Sequence, residues 1–179
     1  MSATANNNGT SNSTAATARA RAGKYLTFQL RGEIYGLEIL KVQEIIGMMK
    51  VTRVPRTPAF IRGVINLRGK VIPVVDLRLK FSMESQADTE KTCIIVVQVI
   101  REGGLKITMG MLVDEVAEVV NIESSQIEPT PELGAGIDTD FILGIGKVGQ
   151  KVVMLLDIDK VLTVGEIAAA ASASAAETD

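Results

Sequence analysis

Gly144-Ile145-Gly146-Lys147-Val148-Gly149 has the spacing G-x-G-x-x-G, in which glycines let the backbone approach a pyrophosphate at a helix N-terminus. Here it runs into Gln150-Lys151-Val152-Val153-Met154-Leu155-Leu156, which reads as a strand, so a hairpin turn is the expected use of these glycines. Carboxylates recur in matched places, Asp76 with Asp157 and Glu44 with Glu118, and such pairs can do acid/base work or bind a hard cation. Their recurrence favours turn capping or backbone pairing over a unique reaction, and no dense loop of oxygen ligands suggests a metal. Histidine is absent, which removes Ser-His-Asp and Cys-His constellations. The single cysteine, Cys93, opens the apolar run Cys93-Ile94-Ile95-Val96-Val97 and reads as a small core residue that cannot form an intramolecular disulfide. No catalytic residue, cofactor or metal is expected.

Arg68, in Asn66-Leu67-Arg68-Gly69, is the side chain best suited to recognition. Its planar fork of donors fits a carboxylate or the backbone carbonyls of a partner, and an internal ion pair bracing the loop is the alternative. From Lys50 to Lys80 eight basic residues (Lys50, Arg53, Arg56, Arg62, Arg68, Lys70, Arg78, Lys80) face Asp76 alone, a local balance of +7. With a net charge of −2, the rest of the chain carries −9. An RNA-binding small barrel using this segment is one reading, but aromatic residues make up only 3% and give few platforms for base stacking. Protein partners are favoured over nucleic acid.

The elements that must position these residues are mostly strands. Tyr25 to Leu30 followed by Arg31-Gly32-Glu33 predicts a hairpin into Ile34-Tyr35-Gly36. Lys70–Asp76, Thr92–Ile100, Lys106–Val113 and Lys151–Leu156 are further strands, and Leu37 to Ile46 mixes helix and strand character. Pro73 is expected at a sheet edge or bulge, since it has no N–H for a ladder. Residues 1–23, rich in Ser, Thr, Asn and Ala, read as a disordered tail without a secretory signal, and residues 165–179 as a flexible or partly helical one. No run of about 18 apolar residues predicts a membrane span, so the expected location is cytoplasmic, with no membrane insertion.

Two internal echoes organise the chain. Gly36 to Ile46 aligns without gaps on Gly110 to Val120, both with Val-x-Glu before two branched aliphatics. Phe60-Ile61-Arg62-Gly63, Lys70-Val71 and Asp76-Leu77 align at one constant offset with Phe141-Ile142-Leu143-Gly144, Lys151-Val152 and Asp157-Ile158. The expected fold is mainly β: two tandem small β-barrels with short helical segments, spanning 24–82 and 91–164 and joined by the polar stretch Ser82 to Lys91.

Val42-x-Glu44-Ile45, Thr57-Pro58-Ala59-Phe60-Ile61-Arg62-Gly63-Val64, Asn66-Leu67-Arg68-Gly69 and Pro73-Val74-Val75-Asp76-Leu77-Arg78, in this order, closely resemble the CheW family of chemotaxis coupling proteins over about residues 24–164. The resemblance implies two SH3-like five-stranded barrels and a non-catalytic scaffold between transmembrane chemoreceptors and the histidine kinase CheA, recruited to membrane-associated receptor arrays and monomeric when isolated. By that likeness, Val42 and Gly63 face the regulatory domain of the kinase. Glu44, Asn66, Arg68, Cys93 and Ile94 lie near the receptor's cytoplasmic tip, in a groove between barrels. The family variant carrying a receiver domain is disfavoured, because no second α/β domain follows residue 164, and the kinase itself has a phosphorylated histidine that this chain lacks.

Overall fold

The computed structural model describes residues 21–84, 86–131, 140–162 and Glu166. Both tail readings fall largely outside these residues. The chain forms β1 (Gly23–Leu30), β2 (Glu33–Glu38), a 3-10 turn (Ile39–Lys41), β3 (Val42–Gly47), β4 (Ile61–Leu67), β5 (Lys70–Asp76) and α1 (Leu77–Lys80). Then follow β6 (Cys93–Ile100), β7 (Lys106–Val113), β8 (Glu115–Ile122), β9 (Ile127–Glu128), β10 (Ile142–Val148) and β11 (Lys151–Leu156). Two-residue turns close the hairpins: Arg31-Gly32 and Arg68-Gly69 have positive φ at both positions (52° and 83°, 51° and 85°), the type I′ geometry that matches strand twist. The glycine-rich motif lies within β10 and its turn into β11, with Gly149 at φ 62°, so the strand–turn–strand reading holds.

The strands build a six-stranded sheet in the order β8-β1-β2-β11-β10-β9 and a five-stranded one in the order β3-β6-β7-β5-β4. Neither keeps to one half of the chain, which corrects the tandem boundaries 24–82 and 91–164. The hairpin β1–β2 is completed by β8, β10 and β11 from the second half, and β6–β7 by β3, β4 and β5 from the first. With β1 matched to β6, β2 to β7, β3 to β8, β4 to β10 and β5 to β11, the two orders are the same apart from β9. Register repeats too. In the parallel pairs Gly36 faces Leu155 and Gly110 faces Val74, and the bulges at Arg62 and Leu143 fall at equivalent positions of the second echo. Each half therefore donates strands to the sheet that contains the other half's first hairpin. A hairpin alone exposes two unpaired edges and half a core, and this exchange satisfies both at once.

Three cores result. Tyr25, Ile122, Val153 and Leu155 fill the six-stranded barrel, and Ile65, Ile72, Val74, Ile94, Val96 and Leu112 fill the five-stranded one. A larger cluster between them takes Leu26, Phe28, Leu30 and Leu37 from one sheet and Ile95, Val97, Met109, Met111 and Val113 from the other. A ladder of stacked rings, Phe28–Tyr35–Phe81–Phe141, runs across it with centroid separations of 5.9, 5.9 and 4.9 Å.

Pro73 differs from expectation: it lies in β5, an inner strand between β7 and β4. Its β4 partner, Val64, turns both main-chain groups to Thr52 (2.8 and 2.9 Å), so the Val64–Pro73 pair is a non-hydrogen-bonded one, and pairing with β7 begins only at Val74. The missing N–H costs no ladder bond to β4.

Candidate partner-binding site

Asp76 and Asp157, singled out as repeated carboxylates, end β5 and precede the equivalent turn after β11. Each donates its backbone N–H to the aromatic residue before the bulge, Asp76 to Phe60 O at 2.7 Å and Asp157 to Phe141 O at 2.8 Å. Their side chains accept from the backbone N–H two positions on, Arg78 at 3.0 Å and Asp159 at 3.1 Å. Both are turn caps, as their symmetry implied.

Asp76 is also the centre of a buried ionic cluster. Arg78, 1% exposed, donates to Asp76 through Nε and NH2 (3.1 and 3.2 Å) and to Asp114 through NH1 (3.1 Å), while Arg62 reaches Asp76 at 3.4 Å and Asp88 at 2.8 Å. Burial works against the Arg78 charge, but the hydrogen bonds to Asp76 and the charges of Asp76, Asp114 and Asp88 outweigh it and hold its pKa above the ordinary value. Four of the eight cations of the basic segment are thus engaged internally: Arg62, Arg78, Lys80 with Glu166, and Arg68. Lys50, Arg53, Arg56 and Lys70 remain exposed, which leaves the RNA reading half of its electrostatic footprint.

Arg68 stands at the tip of the β4–β5 hairpin, its side chain 71% exposed, and its NH2 pairs with Glu44 Oε1 on β3. β3 and β4 are the two edges of the five-stranded sheet, so the pair joins edge to edge beside the Thr52–Val64 bridge. Asn66 shapes the same turn by accepting the Gly69 N–H at 2.9 Å. The second copy has no counterpart: Gly149 stands at the position equivalent to Arg68, and the exposed Glu118 side chain has no partner among the described residues.

The other sequence-named residues are scattered. Val42 is half-buried at the start of β3 and packs on the central core. Gly63, at φ 148°, is buried in β4, and a Cβ there would lie 2.2 Å from Thr52 O, so it is needed for close backbone approach. Cys93 is half-buried opposite Gly47 and Val113, and burial first of all raises its thiol pKa, against reactivity. Ile94 corrects its assignment. It is 0% exposed inside the five-stranded barrel, so its side chain cannot meet a partner in this conformation.

Sequence reasoning missed the groove of about 430 Å³ lined by Gln29, Arg31, Gln86, Lys91, Asp114 and Glu115, where the β7–β8 corner meets the 86–92 loop. None of Glu44, Arg68, Cys93 or Ile94 lines it. Among the described residues no cluster of His, Cys, Asp or Glu is arranged to hold a metal ion, and no helix is long and apolar enough to cross a membrane.

Two small barrels share a central core, with a charged pair on an exposed seam of the five-stranded sheet. The chain belongs to the CheW-like domain family, whose model matches residues 24–166. It is 41% identical over 145 residues to a chemotaxis protein CheW of Klebsiella aerogenes, covering 81% of this chain and 84% of that one. It is 36% identical over 148 residues to a chemotaxis protein CheW of Bacillus subtilis, covering 82% and 91%. The crystal structure of the scaffolding protein TtCheW from Thermoanaerobacter tengcongensis superposes with a TM-score of 0.70 at 37% identity, covering 81% of this chain and 95% of that one.

Proposed function

We propose that this protein is a non-catalytic cytoplasmic adaptor that couples the cytoplasmic tip of transmembrane chemoreceptors to the regulatory domain of a CheA-type histidine kinase within receptor arrays. Membership of the CheW-like family and likeness to a scaffolding protein support the adaptor role. The observation that carries the receptor site is the Arg68–Glu44 pair, charged, exposed on the Arg68 side and without an equivalent in the second copy. Arg68, with Gly149 at the equivalent position, is the member of the pair peculiar to one copy, and a residue that the second barrel does without is free to serve a partner.

On this reading Glu44, Asn66 and Arg68 contact the receptor, with Cys93 supporting β3 from the facing strand, and the surface around Val42 and Gly63 meets the kinase. Holding both partners raises the effective concentration of each for the other, so individually modest contacts suffice within an array. Signal passes only if contacts differ in free energy between kinase states. The test is a binding measurement with a purified receptor fragment and the kinase regulatory domain. Arg68→Glu is expected to abolish receptor capture and leave kinase binding intact, and unchanged capture of receptor overturns the site.

A further inference from the structure

The chain passes between the two sheets at equivalent corners. The first runs from β2 through Ile39–Lys41 into β3, and the second from β7 through Asp114 into β8. Each is tied to the residue two positions past a capping aspartate, Arg78 after Asp76 and Asp159 after Asp157, which are equivalent positions of the repeat. The signs are reversed: Arg78 holds Asp114 at the second corner, and Asp159 holds Lys41 at the first, Nζ to Oδ2 at 2.8 Å. In both, the carboxylate also accepts the N–H at the end of the first strand of a hairpin, Arg31 to Asp114 at 2.7 Å and Ile100 to Asp159 at 2.8 Å.

The ties are unequal. At the β7–β8 corner Arg78 and Asp114 are 1% and 21% exposed, Arg78 is shared with Asp76, and the Asp114 N–H bonds Gln29 O at 3.1 Å. At the β2–β3 corner Lys41 and Asp159 are 24% and 28% exposed. The 3-10 turn there has no buried residue and no side-chain cap from Glu38, and Leu40 is 92% exposed. A buried pair with further hydrogen bonds resists opening because separation strands a charge in low dielectric, while a part-exposed pair exchanges its partner for water and is screened by salt.

We infer that the β2–β3 corner is the hinge of the two-barrel body and the Lys41–Asp159 ion pair its releasable latch, with the β7–β8 corner as the fixed pivot. Release frees the start of β3, the strand carrying Val42 and Glu44, while β8 stays held. The latch belongs to the free chain and operates whichever partner binds at either surface.

Amide hydrogen exchange on the full chain tests it. In Lys41→Met the β3 amides bonded to β6 are expected to exchange about fivefold faster, with β8 amides unchanged, and Lys41→Arg retains wild-type protection. Raising ionic strength to about 1 M is expected to accelerate β3 selectively in the wild type and less so in Lys41→Met, which separates the latch from the Glu44–Arg68 pair on the same strand. Unchanged β3 exchange in both experiments, or equal acceleration in β8, overturns the hinge.

Discussion

Arg68, at the tip of one hairpin, is joined to Glu44, on an edge strand earlier in the sequence, across the seam that closes the five-stranded barrel. The same guanidinium is both brace and exposed recognition group, so the two readings of Arg68 are separable by experiment. In the double variant Glu44→Arg/Arg68→Glu the ion pair can re-form with reversed polarity. Thermal stability is expected to stay within about 1 kcal/mol of wild type, as for most exposed pairs, while receptor capture is not restored. Restored capture would assign the pair to bracing alone.

Gly63→Asp is expected to act through the fold. A side chain there meets Thr52 O and Val51, and the backbone sits at φ 148°, so a loss of about 3 kcal/mol or more is expected, seen as a lowered denaturant midpoint. A variant with wild-type stability and weakened kinase binding would instead make Gly63 a direct contact.

Arg78→Met removes one partner of a buried cluster and leaves Asp76 without its closest counter-charge. Chemical denaturation is expected to report a loss of about 3–5 kcal/mol. Arg78→Met combined with Asp76→Asn is expected to recover part of it, since neither residue then leaves a bare charge buried.

Cys93 predicts an alkaline dependence. Burial raises its folded pKa above the unfolded one, so stability is level below the ordinary thiol range and falls as pH climbs through it, where the unfolded thiolate forms more readily. Tyr25 and Tyr35, also raised by burial, extend the decline to higher pH. Cys93→Ala is expected to remove the lower-pH part of the slope, and native alkylation by iodoacetamide to be slower than in denaturant.

The basic segment is expected to bind no oligonucleotide tightly. Fluorescence anisotropy at low salt should give no saturable binding, and a steep fall of log affinity with log salt would revive the RNA reading.

The strands, the hairpin turns, the repeat and the family resemblance were readable in the chain, because turn chemistry and apolar runs are local: Arg31-Gly32 and Arg68-Gly69 demand tight turns whatever surrounds them. Glu44 was marked by its recurrence and by the family resemblance and Arg68 by its side-chain chemistry, and their contact emerged only when the sheet closed. The parity of β6 was unreadable for a different reason. Ile94 and Val96 face one barrel's interior while Ile95 and Val97 face the central core, so both faces are apolar and no alternation tells them apart.

By itself the sequence determined that two related β units exist, that the usual histidine-based chemistry is missing, and that one hairpin tip departs from its copy. Tertiary structure alone decided that the units exchange strands, that Arg78 is buried while Arg68 is exposed, and that one crossover is locked more firmly than the other. Those choices depend on long-range pairing and on which carboxylate each cation meets, and neither is encoded in any short stretch of residues.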